Sequence, residues 1–232
     1  MSTIRLGDYL GVPTDGMLDD TPYAQLETTE LAGFLAAWAD WHRQALARLP
    51  QRIHPTARIH PTAVIGDDVI IGPHVRVWEF STVRAGSVLC AGVSVGFNCE
   101  VTWSFLGERT ILGHRIGINR TLVGADAHLS ANLTVAAISM WSPRMSAPER
   151  EIVLRTPGGL HRCGTPRFGA LIGDRVQTGN GISLGPGVAL GRDCRVAGGV
   201  TLAGRAVPDH SVVTAPHTAD VHVRRRRAPG SP

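Results

Sequence analysis

The feature that most narrows the fold is a spacing of six. Ile53, Ile59, Ile65, Ile71, Val77, Val83, Leu89, Val95 and Val101 follow one another at that interval without a slip, and Ile172, Thr178, Leu184, Leu190, Val196 and Leu202 do so again. Two positions before most of them stands a small or branched residue, such as Ala57, Val69, Ser81 or Cys99 in the first run and Ala170, Val188 or Cys194 in the second. A helix repeats every ~3.6 residues and a strand every ~2, so neither accounts for this period. A coil with three short flat sides does, one hexad per side, its aliphatic residues pointing inward and stacking from coil to coil. The small residue lets the chain turn the corner. The glycine after the aliphatic, at 66, 72, 96, 173, 179, 185 and 191, is read as tolerating unusual dihedrals there.

The same count divides the chain. Residues 1–52 lie outside it. Of these, 1–27 show no period and carry Pro13, Gly16 and Pro22, an irregular arm. Residues 29–49 read as a helix, capped by Thr28 or Thr29 with Glu30 in its first turn and stopped by Pro50. Leu31, Phe34, Leu35, Trp38, Trp41 and Leu46 approximate one face, for core or subunit packing. Stacked repeats need capped ends, and this helix is a candidate cap. The solenoid is expected over 53–207. Within it Leu106 and Leu112 keep the spacing, whereas Val123, Leu129 and Val135 resume in a shifted frame, which predicts a bulge near 113–122. Residues 137–168, rich in Pro and Gly, form a long excursion, and long loops in compact repeat folds are often functional. Residues 208–232 form a C-terminal segment with the run Arg224 to Arg227, read as a solvated tail.

Composition excludes several classes. There is no lysine, which removes Schiff-base chemistry and a lysine phosphate clamp. A net charge of +4 gives no reason to expect a nucleic-acid partner. No apolar run of about 18 residues predicts a membrane span. Cys90, Cys99, Cys163 and Cys194 include no C-x-x-C pair, and the expectation is a cytoplasmic protein with reduced thiols. Cys163 is read as an inert thiol in preference to a nucleophile. Trp78, Trp103 and Trp141 line a groove or pack subunits; the sequence leaves both open.

The hexapeptide pattern resembles the left-handed β-helix superfamily, most of whose enzymes are trimeric acyltransferases. The fold class expected is therefore all-β, a left-handed parallel β-helix with a short N-terminal helical segment. The stretches 83–135 and 168–191 resemble the C-terminal domain of sugar-1-phosphate nucleotidylyltransferases, in particular an acetyltransferase half. In "LGERTILGHRIG" the resemblance puts His114 on the family's catalytic base. In "VRAG" it puts Arg84 on an arginine that holds the sugar phosphate, and in "NCEV" Glu100 on a glutamate of that pocket. Arg167 falls on a basic residue near the acceptor, and His128 on an asparagine position of the substrate groove. Ala131, Asn180 and Gly198 fall on positions that contact coenzyme A. Thr102, Gly117 and Ala137 stand where the family has a lysine, a tyrosine and an asparagine. Residues 1–52 are too short for a nucleotidyltransferase half, so nucleotidyl transfer by this chain alone is not expected.

The resemblance thus implies a homotrimer that transfers an acetyl or other acyl group from coenzyme A to an amino group of a small sugar-like acceptor, phosphorylated or nucleotide-linked. His114 would be the base, and no metal would be needed. A histidine of near-neutral pKa suits that step. Three alternatives stay open: an oligomerising or regulatory partner of a nucleotidyltransferase; a changed enzyme acting on a nucleotide sugar by another reaction; and a zinc carbonic anhydrase of this fold. The last needs closely spaced histidine ligands, and no H-x₄-H pair stands in the coil region.

Overall fold

The computed structural model describes residues 3–215, so the Arg224–Arg227 run lies outside the described residues. The chain winds into a left-handed parallel β-helix of triangular section, with each side a sheet of two- or three-residue strands from successive coils. The first face runs from Arg58–Ile59 through Arg76–Val77, Ser94–Val95, Ile111–Leu112, His128–Leu129, Gln177–Thr178 and Arg195–Val196 to Val212–Val213. The second face runs from Val64–Ile65 through Thr82–Arg84, Glu100–Thr102, Gly117–Asn119, Thr134–Val135 and Ser183–Leu184 to Thr201–Leu202. The third runs from Ile70–Ile71 through Val88–Leu89, Phe105–Leu106, Leu122–Val123, Ala170–Ile172 and Val188–Leu190 to Ala206–Val207. The aliphatic of each hexad points inward, and together these residues form one continuous core through the prism.

The expected bulge near 113–122 is absent. Leu112 pairs with Val95 and Leu129 with Leu112, while Ile118 pairs with Val101. Ile118 therefore fills the inward slot between Leu112 and Val123. The frame shifts because two corners are a residue short, between Val101 and Leu106 and between Ile118 and Val123. A tighter corner changes the count without expelling any chain.

The glycines after the inward aliphatics are there for space and not for dihedral freedom. A Cβ on Gly96 would sit 1.7 Å from the Gly113 carbonyl oxygen, and one on Gly72 3.0 Å from backbone of the next coil. Left-handed dihedrals fall two residues later, at His74, Asn98, Arg115, Asn132 and their equivalents. The coil-to-coil hydrogen bonds over-determine the corner and hold even these non-glycine residues there.

Nor does the N-terminal segment cap the end of the stack. The arm, with short 3-10 turns at Leu6–Asp8 and Pro22–Thr28, runs along the corner between the third and first faces as a strap. The Arg192 Nη2 donates to the Gly7 carbonyl (2.8 Å), Gly11 N–H donates to the Asp174 carboxylate (3.0 Å), and Asp15 N–H donates to Glu108 (3.0 Å). Each anchor sits further toward the first coil. Burial alone would raise the Glu108 carboxyl, but hydrogen bonds from Thr14 and Arg109 outweigh it and hold it below the usual carboxylate range. Helix α1, Leu31–Arg48, then lies across the third face. It is capped at Glu30 without a side-chain bond, because the Thr29 hydroxyl is spent on the Gln25 carbonyl (2.7 Å). Phe34 and Trp38 are buried, and Tyr23 stacks on Phe105 with ring centroids 5.6 Å apart. His42 is buried between the Tyr23 hydroxyl (3.0 Å) and the Asp68 carbonyl (2.6 Å). Only Nε2–H can serve the carbonyl, so Nδ1 accepts from Tyr23 and the ring is the neutral tautomer. Burial pushes its pKa down.

The coil that leaves the second face at Thr134–Val135 rejoins the stack at Ala170–Ile172. The detour includes an antiparallel hairpin, Val153–Thr156 with Gly159–Arg162, and its Ile152, Leu154, Cys163 and Phe168 complete the cover of the third face. Burial pushes the Cys163 thiol up to about 12, which keeps it protonated and inert.

Candidate functional site

Among the described residues, the corner between the first and second faces carries no such cover. There each coil presents a residue two positions after its inward aliphatic: Phe97, His114, Ala131, Asn180 and Gly198. The backbone ladder fixes their order. The Arg115 N–H donates to the Phe97 carbonyl (2.9 Å), Asn132 N–H to the His114 carbonyl (2.9 Å), Gly181 N–H to the Ala131 carbonyl (2.9 Å) and Gly199 N–H to the Asn180 carbonyl (3.0 Å). Four residues singled out in the sequence thus form one column along the prism edge. His114 sits at a regular corner and not at a break in the frame, and its ring is exposed with no side-chain partner among the described residues.

Arg84 and Glu100 lie round the corner on the second face. Thr82 is in register with Glu100 and Arg84 with Thr102, so all four point outward. The Arg84 guanidinium bonds the Glu100 carboxylate and sets Nε against the Thr102 hydroxyl at 3.3 Å. Both charges are half exposed, so the pair itself contributes little to stability. An open groove of about 470 Å³ joins the pair to the corner, lined by Phe80, Thr82, Arg84, Asn98, Cys99, Glu100, Arg115, Ile116 and Gly117. Gly117 leaves real room in it: a Cβ there would meet nothing within 4 Å.

The other two residues stand elsewhere. His128 is exposed on the first face, in register with Ile111 and Gln177. Arg167 ends the detour at the opposite edge, between the second and third faces, near Arg120 and outside the lining of the groove that holds Arg84. Ala137 is buried close by, its carbonyl accepting from Phe168 N–H at 2.9 Å.

Sequence reading named Trp78 and missed the rest of the aromatic rim, Phe80 and Phe97. Trp78, Phe80 and Phe97 are exposed at the uncovered corner, and the last two rings meet edge to face at 5.8 Å. Phe80 occupies a left-handed corner position (φ 57°), where an unbranched polar residue or glycine is the ordinary choice. A phenylalanine in that slot was the available signal. Among the described residues, no group of three His, Cys, Asp or Glu could hold a metal ion, and no helix is long and apolar enough to cross a membrane.

Comparison with known proteins finds partial matches. The sequence family described as the GMPPB C-terminal domain matches residues 49–146. The bifunctional protein GlmU of Methanococcus vannielii is 28% identical over 109 residues, which is 47% of this chain and 24% of that protein. A bifunctional sugar-1-phosphate nucleotidylyltransferase/acetyltransferase of Sulfurisphaera tokodaii is 24% identical over 122 residues, 53% of this chain and 29% of that one. The chain therefore spans about a quarter of the length of these curated relatives. Among solved structures, AntD, an N-acyltransferase from Bacillus cereus in complex with dTDP and 3-hydroxybutyryl-CoA, is similar at 14% identity and a TM-score of 0.38, over 69% of this chain and 76% of that one. The repeats build a β-helix, and part of its sequence is similar to the GMPPB C-terminal domain family and to bifunctional sugar-1-phosphate nucleotidylyltransferase/acetyltransferases.

Proposed function

We propose that the chain transfers an acyl group, acetyl in the simplest case, from coenzyme A to an amino group of a small sugar-like acceptor that is phosphorylated or nucleotide-linked. The observation that carries the reading is the uncovered column of His114, Ala131, Asn180 and Gly198 beside a groove holding Arg84 and Glu100. In the reaction the acceptor nitrogen attacks the thioester carbonyl as His114 takes its proton. The oxyanion of the tetrahedral intermediate is met by backbone N–H groups of the rigid coil, and the thiolate departs with a proton. Arg84 holds the acceptor's anionic group by exchanging Glu100 for it. His128, on the first face, lines the approach along the column. The exposed Trp78, Phe80 and Phe97 favour a second copy against this corner, as a homotrimer with grooves between neighbours requires.

The test is turnover with acetyl-CoA over a panel of amino sugars, free, 1-phosphorylated and nucleotide-linked. Acylation that is lost in His114→Ala while coenzyme A still binds supports the mechanism. A protein that binds no coenzyme A sinks it. Two observations favour a second reading. Arg84 is already engaged by Glu100 and Thr102, and the family's tyrosine is an open space at Gly117, as suits a domain kept for assembly with a nucleotidyltransferase.

A further inference from the structure

The first face begins with a pair that breaks a pattern kept further along the prism. Arg84, Arg109, Arg115, Arg175 and Arg195 each bond an acid or an amide in a neighbouring coil: Glu100, Asp126, Asn132, Asp193 and Gln177 in turn. Arg58 instead stands in register with Arg76, and both are exposed. Neighbouring strands lie ~4.8 Å apart, so the two side chains leave the sheet side by side. Among the described residues no ion pair or hydrogen bond engages either guanidinium. Trp78 lies beside them and is 46% exposed. Its indole N–H donates to the hydroxyl of Ser94 (3.3 Å), the next residue in the Arg76 row. That bond holds the ring nitrogen on the first face, while Phe80 and Phe97 meet at the corner. An open groove of about 590 Å³ joins Arg58, Arg76 and Trp78 with Ile59, His60 and Pro61. The Glu79 carboxylate, which would oppose an anion, faces the His60 ring, 3.8 Å from Nε2.

We propose that Arg58, Arg76 and Trp78 form a site for a nucleoside diphosphate group, with the two guanidiniums on its phosphoryl oxygens and its base stacked on the indole. Two like charges one strand apart repel, and an anion between them converts the repulsion into attraction. Guanidinium forks match phosphoryl oxygens in pairs. An exposed ring fixed by its own N–H offers a flat apolar surface on which any base stacks, and it is in place before the ligand arrives. The groove falls within the range of about 300–1,000 Å³ usual for small-molecule sites. Arg58–Ile59 is the first strand of its face, and beyond Arg76 the outward row continues with Ser94 and Ile111. The basic patch is therefore two coils wide, which suits one nucleotide and offers no track of cations for a longer phosphate backbone. Free nucleotides, nucleotide sugars and coenzyme A all carry such a group. The site uses none of the residues assigned to acyl transfer and does not depend on that reaction.

The full chain is titrated calorimetrically with ADP, GDP and UDP at low salt, and with pyrophosphate and adenosine as the two halves. Saturable binding of a diphosphate is expected, with each half alone weaker. Arg76→Gln should weaken it about tenfold or more, and Trp78→Leu about tenfold while leaving pyrophosphate unaffected. Arg58→Glu turns the pair into an acid–arginine rung like those of the other coils, so it should abolish binding with the circular dichroism spectrum unchanged. Arg84→Gln and His114→Ala should be silent, which separates failure of this site from failure of acyl transfer. Displacement of the bound diphosphate by coenzyme A or by UDP-glucose names the molecule that supplies the group, and displacement by neither names a free nucleotide. Absence of saturable binding by all three diphosphates, binding that survives Arg58→Glu, or an affinity indifferent to Trp78→Leu overturns the site.

Discussion

The third face and the uncovered corner are made from one repeat and are treated oppositely. On the third face the residue before each inward aliphatic is itself apolar: Ile70, Val88, Phe105, Leu122, Leu171 and Ala189, all buried beneath the strap, α1 and the detour. On the second face the same slot holds Val64, Thr82, Glu100, Gly117, Thr134, Ser183 and Thr201, and only Val64 is a large apolar residue. A two-sided apolar strand has to be covered on both sides, whereas one with a polar outer row can stay open. The chain thus spends its non-repetitive segments on one side and leaves another free for ligand and neighbour.

The comparison can be broken most forcibly from the covered side. Phe34→Ala, or Phe105→Ala beneath Tyr23, should cost about 3–5 kcal/mol in denaturant unfolding, because a fully buried ring leaves a cavity. A change near that made by Phe97→Ser at the bare corner would mean that the cover is decorative. Next comes chemistry. His114→Ala should cut turnover by about 10²-fold or more with the circular dichroism spectrum and midpoint unchanged; near-normal turnover removes it from the mechanism.

A pH titration sharpens the contrast further. Burial depresses His42, so its folded value lies below the unfolded 6.5. A depressed group contributes stability that is whole above the unfolded value and is lost as pH falls through the folded one. The melting midpoint should therefore decline below about pH 6.5, and His42→Gln should flatten that limb even if it lowers the midpoint throughout. An unchanged limb would place the loss elsewhere. The smallest effect is expected at Gly117. With open space around it, Gly117→Tyr should shift stability by no more than about 1 kcal/mol while changing which acceptors are acylated. A collapse of stability would show that the groove floor is not the free surface described above.

Much of this was legible in the residues themselves. Counting from the inward aliphatic puts His114, Ala131, Asn180 and Gly198 at the same offset after Leu112, Leu129, Thr178 and Val196, so the column follows from the period even though the residues are far apart in the chain. The covered face was legible too, as doublets such as Ile70–Ile71, Phe105–Leu106 and Leu122–Val123, one to each coil, a regularity that a six-residue reading passes over. The shortened corners were misread as an inserted bulge, because a missing residue and an extra one shift the frame alike.

The sequence by itself determined the solenoid, its inward core and the composition of the bare corner. In a stacked repeat each coil's position is set by its neighbours, and local spacing carries three-dimensional meaning. Only the tertiary structure decided that the N-terminal segment is a strap and not a cap, that Arg84 is tied to Glu100, and that Arg167 returns beside Arg120. Those contacts join segments without a period, and their partners are chosen by long-range packing and charge, which no count along the chain can supply.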